Sequence, residues 1–196
     1  MEVSIQDDFL SEENFNALRD LISSEDFPWF FHSKLDYDDY AEGPPEPGFF
    51  VHNVYKDNSP NSPFYNSHFL PILQALDVAL LLRIKVNLNP RLPEGYSGMF
   101  HVDNNSFPEH IVAKCLASIF YINTCNGYTE LKDGTKIESV ANRVVSFPLN
   151  TEHRTVTQTD EQTRLLINFN YIRRSLLYLE KETFANVPPS QNITPI

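Results

Sequence analysis

The chain predicts an α+β domain built as a double-stranded β-helix, or jelly roll, with N-terminal helices packed on its major sheet. Three observations lead there. Helical spacing of apolar residues is confined to residues 1–82, and short strand-like runs between turn residues fill most of the chain from Arg83 onward. The last of those runs has one apolar and one polar face. Helices first and strands afterwards argue for α+β rather than for alternating βα units, and many short strands suit a two-sheet jelly roll.

Val3–Phe9 reads as a short strand. Ser11 then reads as a helix N-cap, with Glu12 and Glu13 in the first turn, where the helix dipole favours negative charge. Phe15, Leu18, Leu21 and Ile22 recur at helical spacing and give this helix one face to bury. Trp29–Leu35 reads as a strand, and Phe27, Trp29, Phe30 and Phe31 as core. Asp36–Gly48 comes next, with the acidic run Asp36–Tyr40 read as a solvated loop and Gly43–Gly48 as a breaker cluster. Phe49–Tyr55 returns to β character. Ser62–Leu82 reads as a second helix, interrupted or started near Pro71. Arg83–Leu88, His110–Asn123, Glu138–Phe147, Thr155–Thr157 and Arg164–Ile172 read as strands.

The final strand is the most informative. Side chains alternate along a strand, so Leu165, Ile167, Phe169 and Tyr171 share one face and Arg164, Leu166, Asn168 and Asn170 the other. The apolar face is expected to meet the helices, which turns Arg164 into the barrel. A charge pointing inward needs a partner, and a ligand is one candidate.

At 196 residues the chain suits one domain with a sizeable core: helical support over 1–82, the jelly-roll core over 83–172 and a tail over 173–196. A net charge of -11 argues against a nucleic-acid partner, since phosphate binding needs Lys and Arg to replace counterions. No apolar run approaches the ~18–20 residues that span a bilayer, and MEVSIQDDFL lacks the layout of a signal peptide. Cys115 and Cys125 are too few for a secreted disulfide scaffold and read as structural. The expected location is the cytoplasm, with no membrane partner.

The residues that point to chemistry begin at Met99-Phe100-His101-Val102-Asp103-Asn104. Positions i and i+2 of a strand project from one face about 6.5–7 Å apart, so His101 and Asp103 can converge on one metal ion. His153, just past the run Asn142–Pro148, is the best third ligand. Two imidazoles and one carboxylate form the facial triad of non-haem iron(II) oxygenases and leave coordination positions open. A 2-oxo acid can fill two of them. Arg164, eleven residues beyond His153, can hold the far carboxylate of such an acid through two parallel hydrogen bonds.

These residues resemble the 2-oxoglutarate/iron(II)-dependent oxygenase superfamily, specifically its small prolyl-hydroxylase-like members. The likeness is carried by H-x-D, a distal His and a trailing Arg, over roughly 83–172. Phe120-Tyr121-Ile122-Asn123 resembles the family's tyrosine-leucine-asparagine strand. The resemblance implies Fe(II) at His101, Asp103 and His153, with 2-oxoglutarate bound by Arg164 and assisted by Tyr121. Leu166 stands where many members carry Ser or Thr, so Tyr121 or Asn168 has to compensate. The glycine-rich turn common after the tyrosine strand is reduced to Asn126–Glu130. The implied reaction couples decarboxylation of 2-oxoglutarate to succinate and carbon dioxide with hydroxylation of a C–H bond. The implied substrate is a small molecule or a peptidyl group, such as a prolyl or another amino-acid side chain.

Competing readings stay open. His110 is an alternative third ligand, and His101 with Asp103 can instead be an ordinary surface pair. Asn87 and Asn89 either line the site or end their strand. Arg154 reads as solvated or substrate-facing, Arg143 as exposed, and His32, His52 and His68 have no ligand-like companions. A cupin-type metal enzyme of another reaction class and a non-catalytic jelly-roll binding module are the alternative functions.

Overall fold

A computed structural model describes residues 2–33, 47–103 and 109–175. The acidic run 36–40, most of the Gly/Pro cluster and the tail 187–196 lie outside the described residues. In chain order the elements are β1 (Ser4–Gln6), α1 (Glu12–Ile22), β2 (Phe30–His32), β3 (Phe49–Lys56) and β4 (Ser59–Pro60). A π-helical turn, Tyr65–Phe69, runs into α2 (Leu70–Ala75). Then come β5 (Val78–Pro90), α3 (Glu109–Val112), β6 (Leu116–Tyr121), β7 (Cys125–Leu131), β8 (Lys136–Ser139), β9 (Val144–Pro148), β10 (His153–Val156) and β11 (Thr163–Arg173).

Among the described residues the strands form two antiparallel sheets. The larger runs β1-β9-β6-β11-β5-β3-β2, with β4 paired to β3, and the smaller runs β10-β7-β8. This is the jelly-roll architecture that the sequence predicts. No helix among the described residues is long and apolar enough to cross a membrane.

α1 begins where expected: the Ser11 hydroxyl accepts from the Asn14 N–H at 3.4 Å, with Glu12 and Glu13 in the first turn. Its buried residues are Phe15, Leu18 and Ile22. They join Phe69, Ile72 and Leu76 in a cluster against Leu165, Ile167, Phe169 and Tyr171 of β11. Each fully buried side chain of this kind stabilises by roughly 1.5–3 kcal/mol, so the apolar face of β11 is fixed outward, towards the helices. The polar face of β11 then has to look between the sheets, as alternation requires. A second cluster, including Ala117, Ile119, Tyr121, Val145, Phe147 and Leu166, fills part of that space.

Several elements differ from the expectation. The second helix ends at Ala75, and Asp77, at φ 55°, turns the chain into β5 at Val78. Leu80 and Leu81 suit either period, and their pairing with Ile172 and Tyr171 of β11 decides for the strand. The run 110–123 opens as the single helical turn α3 before β6 begins at Leu116. The run 138–147 is two strands in different sheets, separated at Asn142, whose φ is 61°. The Asn142 side chain also accepts from the Leu10 N–H and donates to the Leu10 carbonyl, both at 2.9 Å, which ties the start of α1 to this corner. Asn126–Glu130, expected as a turn, belongs to β7, the central strand of the smaller sheet. Phe30 and Phe31 are not core: they are 59% and 63% exposed on an edge strand.

Candidate metal centre and adjoining cavity

His101 and His153 face each other across an isolated antiparallel bridge. Each backbone N–H donates to the other's carbonyl at 3.0 Å. Asp103 follows two residues after His101, and one ligand atom from each of His101, Asp103 and His153 lies within 4.8 Å of the others. Among the described residues no other His, Cys, Asp and Glu group is so arranged. The ring of His110 lies outside the described residues.

Both imidazoles are set up for metal binding. His101 Nδ1 lies 3.1 Å from the Met99 carbonyl and His153 Nδ1 lies 2.9 Å from the Thr151 carbonyl. A carbonyl can only accept, so each Nδ1 carries a hydrogen, and in the neutral ring the lone pair is on Nε2. Burial pulls His153 below the ordinary histidine value, the Asp103 carboxylate opposes this, and the neighbouring His101 adds to it. The neutral, ligating form therefore persists to lower pH than in a free histidine. Two neutral nitrogens and one carboxylate oxygen, with no sulfur, are the donor set that suits iron(II).

Asp103 is held on both oxygens. Arg83 Nη2 is 3.0 Å from Oδ1, and Asn170 Nδ2 donates to Oδ2 at 2.8 Å. Burial alone raises this carboxyl, yet Arg83 first, then His153, Asn170 and Lys85, hold it well below the usual carboxylate range. The Asp103 carboxylate is therefore held in its ionised form, paired with the Arg83 guanidinium.

A small, half-open cavity lies beside His101 and His153. Its inner wall comes from facing rungs of β5 and β11. Asn89 pairs with Arg164, Asn87 with Leu166 and Lys85 with Asn168. Asn87 donates to Asn168 Oδ1 at 3.2 Å. Ile119 of β6 extends this wall beside Asn168, and Thr129 and Thr155 of the smaller sheet also line the cavity.

Arg164 is fully buried and reaches the cavity through Thr129 and Thr155, which line it. Its Nη1 donates to the Thr155 hydroxyl at 2.7 Å and its Nη2 to the Thr129 hydroxyl at 3.2 Å. Each threonine thus keeps its own hydrogen to donate, and both threonines line the cavity. The side chain of Arg164 passes over Gly127, where a Cβ would sit 2.8 Å from Arg164 Cδ and 3.0 Å from backbone atoms of Val156 and Gln158. β7 skips register between Cys125 and Tyr128 to make that room. Burial lowers Arg164 from its ordinary value, but a guanidinium starts so high that it stays charged.

The structure thus brings His101, Asp103 and His153 together and sets Asn168 in the wall of the adjoining cavity, with Arg164 behind Thr129 and Thr155. Tyr121 is adjacent but committed elsewhere: its hydroxyl donates to Thr129 Oγ1 at 2.8 Å, while the Arg164 guanidinium lies 5.5 Å from its ring centre. Asn87 and Asn89 line the cavity and do not end β5. Arg154 is partly exposed and lines the cavity, and it pairs with Glu130 at 2.7 Å and lies 4.4 Å from the Phe100 ring centre. Arg143 holds Asp7 through Nε at 2.6 Å and Nη2 at 3.0 Å. Cys115 and Cys125 are buried free thiols. Residues that the sequence does not single out are Thr129, Thr155, Gly127 and Arg83. Alternation along β5 is the available signal for Arg83.

Neither a protein-family model nor a curated protein matches the sequence. Solved structures do. A prolyl hydroxylase from Trichoplax adhaerens, in complex with a hypoxia inducible factor oxygen degradation domain peptide fragment, superposes with a TM-score of 0.58 at 15% identity, over 90% of this chain and 86% of that one. The non-heme alpha ketoglutarate dependent epimerase SnoN from nogalamycin biosynthesis gives 0.58 at 11% identity, over 99% and 87%. The carbocyclase SnoK from the same biosynthesis gives 0.56 at 11%, over 99% and 89%. The chain has the double-stranded β-helix fold of the 2-oxoglutarate-dependent non-haem oxygenases.

Proposed function

We propose that this protein is an iron(II)- and 2-oxoglutarate-dependent oxygenase, with His101, Asp103 and His153 as metal ligands and Arg164 as the anchor for the distal carboxylate of 2-oxoglutarate. The observation that carries this reading is the convergence of two imidazoles and one buried carboxylate beside a cavity lined by Thr129 and Thr155, the two hydroxyls to which the buried Arg164 guanidinium donates. An acid reaching from the metal ligands to those hydroxyls meets a metal-binding group at one end and a cation behind the hydroxyls at the other.

Each residue has a separable task. His101 and His153 present unprotonated Nε2 because their Nδ1 atoms are spent on backbone carbonyls. Thr129 and Thr155 accept from Arg164 and turn their hydroxyl hydrogens to the carboxylate, which supplies the hydroxyl partners that Leu166 lacks. Tyr121 fixes Thr129 in place and acts through it. Ile119 and Leu166 flank the carbon chain and exclude water. Iron(II) with 2-oxoglutarate supplies the oxygen-activating chemistry when bound, and the protein positions the substrate for it.

Lys85, Asn87 and Asn168 form the remaining polar wall. One cation and two amides suit a polar or anionic substrate better than an apolar one. Hydroxylation of a C–H bond, of a prolyl or other amino-acid or peptidyl group, is the reaction we favour. The solved structures of like fold include a prolyl hydroxylase with a peptide as well as an epimerase and a carbocyclase.

The test is an anaerobic titration of iron(II)-loaded protein with 2-oxoglutarate, read by the weak visible charge-transfer band of the chelate. A band in the wild type that disappears in His153→Ala supports both assignments. Iron binding without a band would sink the co-substrate assignment and favour a cupin-type metal enzyme. No iron binding would leave a jelly-roll binding module.

A further inference from the structure

Arg83 and Asn170 are direct partners across the β5–β11 ladder, and both inward-facing side chains end on Asp103. Asn170 donates to Oδ2 at 2.8 Å, and Arg83 Nη2 sits 3.0 Å from Oδ1. Oδ1 is also the oxygen that faces His153, whose Nε2 is 3.9 Å away. The carboxylate oxygen that a metal shared with His153 would take is therefore the one that Arg83 grips. Among the described residues the Arg83 guanidinium has no other carboxylate partner.

We infer that Arg83 is a positioning residue that acts as a placeholder cation, neutralising the buried Asp103 carboxylate in the metal-free protein and lowering the affinity of the site for its metal. This rests on the reading of His101, Asp103 and His153 as metal ligands. The Asp103 side chain is 4% exposed, and a carboxylate so buried is costly without a counter-charge. Arg83 provides that charge in the metal-free state. In the metal-bound state the divalent ion provides it, and the guanidinium becomes a like charge a few ångströms from the ion. Removing Arg83 destabilises the metal-free protein more than the metal-bound protein, so metal binding tightens. Asn170 is neutral and grips the other oxygen, so its loss removes orientation without relieving any repulsion, and metal binding weakens. Opposite signs at two partners of one carboxylate are what a merely structural clamp would not produce.

The experiment is calorimetric titration of the full metal-free chain with Co(II), beside thermal melts with and without the ion. Arg83→Met should bind Co(II) roughly tenfold or more tightly than wild type, with a lower metal-free melting temperature. Arg83→Lys, which keeps the charge, should stay close to wild type, and Asn170→Leu should bind more weakly. If Arg83→Met does not fold without metal, Arg83→Gln, which is polar but carries no charge, should show the same tightening. Equal or weaker Co(II) binding in the uncharged variants overturns the inference and leaves the metal site standing. Wild-type protein that binds no Co(II), or binds it equally well as His153→Ala, overturns the metal assignment and this inference with it.

Discussion

His101 and His153 exchange backbone hydrogen bonds at 3.0 Å in both directions, with their ring centres 4.8 Å apart. The two segments that supply the imidazoles are therefore locked to each other by the residues that bear them. His153→Ala keeps the backbone bridge and removes the Nε2 ligand together with the Nδ1 hydrogen bond to the Thr151 carbonyl. It should weaken Co(II) or Fe(II) affinity by more than about 100-fold, beyond what loss of a supporting residue costs. Its melting temperature without metal should fall modestly, since the buried ring and its bond to the Thr151 carbonyl are lost. Calorimetric metal titration checks this, and retained affinity would remove His153 from the ligand set.

Arg164→Met should abolish the charge-assisted hold on 2-oxoglutarate and leave the metal ligands untouched. Loss of two such hydrogen bonds corresponds to roughly 100-fold or more in dissociation constant. The measurement is 2-oxoglutarate titration of metal-loaded protein, with Co(II) affinity as the control. Unchanged acid affinity would place the anchor elsewhere.

Gly127→Ala should have the same effect from a distance. Its Cβ would meet Arg164 Cδ at 2.8 Å and two backbone atoms at 3.0 Å, and the backbone atoms cannot step aside. Overpacking of this kind costs ~1–3 kcal/mol, and the side chain that can yield is the anchor itself. The expected outcome is a lower melting temperature together with weakened 2-oxoglutarate binding. A variant that melts earlier but binds the acid normally would confine Gly127 to a packing role.

These residues also mark where the sequence is legible and where it is not. The alternation along 164–171 turns Arg164 inward, because four apolar residues in register need one surface to bury against, and α1 offers it. H-x-D with a distal histidine is legible because the two-residue spacing is local, although His101 sits on an isolated bridge and Asp103 on a bend rather than on a strand. Thr129 and Gly127 are not, because a bulge breaks the period of β7 and Asn126-Gly127 has the composition of a turn. The end of the second helix is hidden at residues 78–82, where an unbroken apolar run carries no period and only pairing with β11 settles it. Thr155 gains its role from a contact nine positions along the chain, on another sheet, which no spacing rule describes.

Tyr121→Phe separates contact from support. The Tyr121 hydroxyl donates to Thr129 Oγ1, so its removal costs stability of about 1 kcal/mol while Arg164 and Thr155 stay in place. Acid affinity should fall by less than about fivefold, against the larger loss expected where a charged ligand is touched directly. Denaturant melts and 2-oxoglutarate titration read the two quantities side by side. A loss as large as that of Arg164→Met would return Tyr121 to direct contact with the acid.

Acid sensitivity should also arise away from the metal. His52 is buried on β3, edge-on to Phe27 at 4.9 Å and stacked on Phe30 at 6.0 Å, and neither ring nitrogen has a hydrogen-bond partner among the described residues. Burial lowers its pKa, and burial likewise lowers that of His153. For both groups the folded value lies below the unfolded one, so between the two values the unfolded chain binds more protons. The stability tied to the neutral rings is present above the ordinary histidine range, near pH ~6.5, and is lost as pH falls through it towards the folded values. The metal-free protein should therefore have a lower urea midpoint at about pH 5.5 than at about pH 7.5. His52→Leu removes one of the two titrating rings and replaces unpartnered nitrogens by carbon, which leaves no buried polar atom unsatisfied there. Its midpoint at the higher pH should match or exceed wild type, and the drop on acidification should shrink. An unchanged drop in that variant would assign the acid sensitivity to His153 alone.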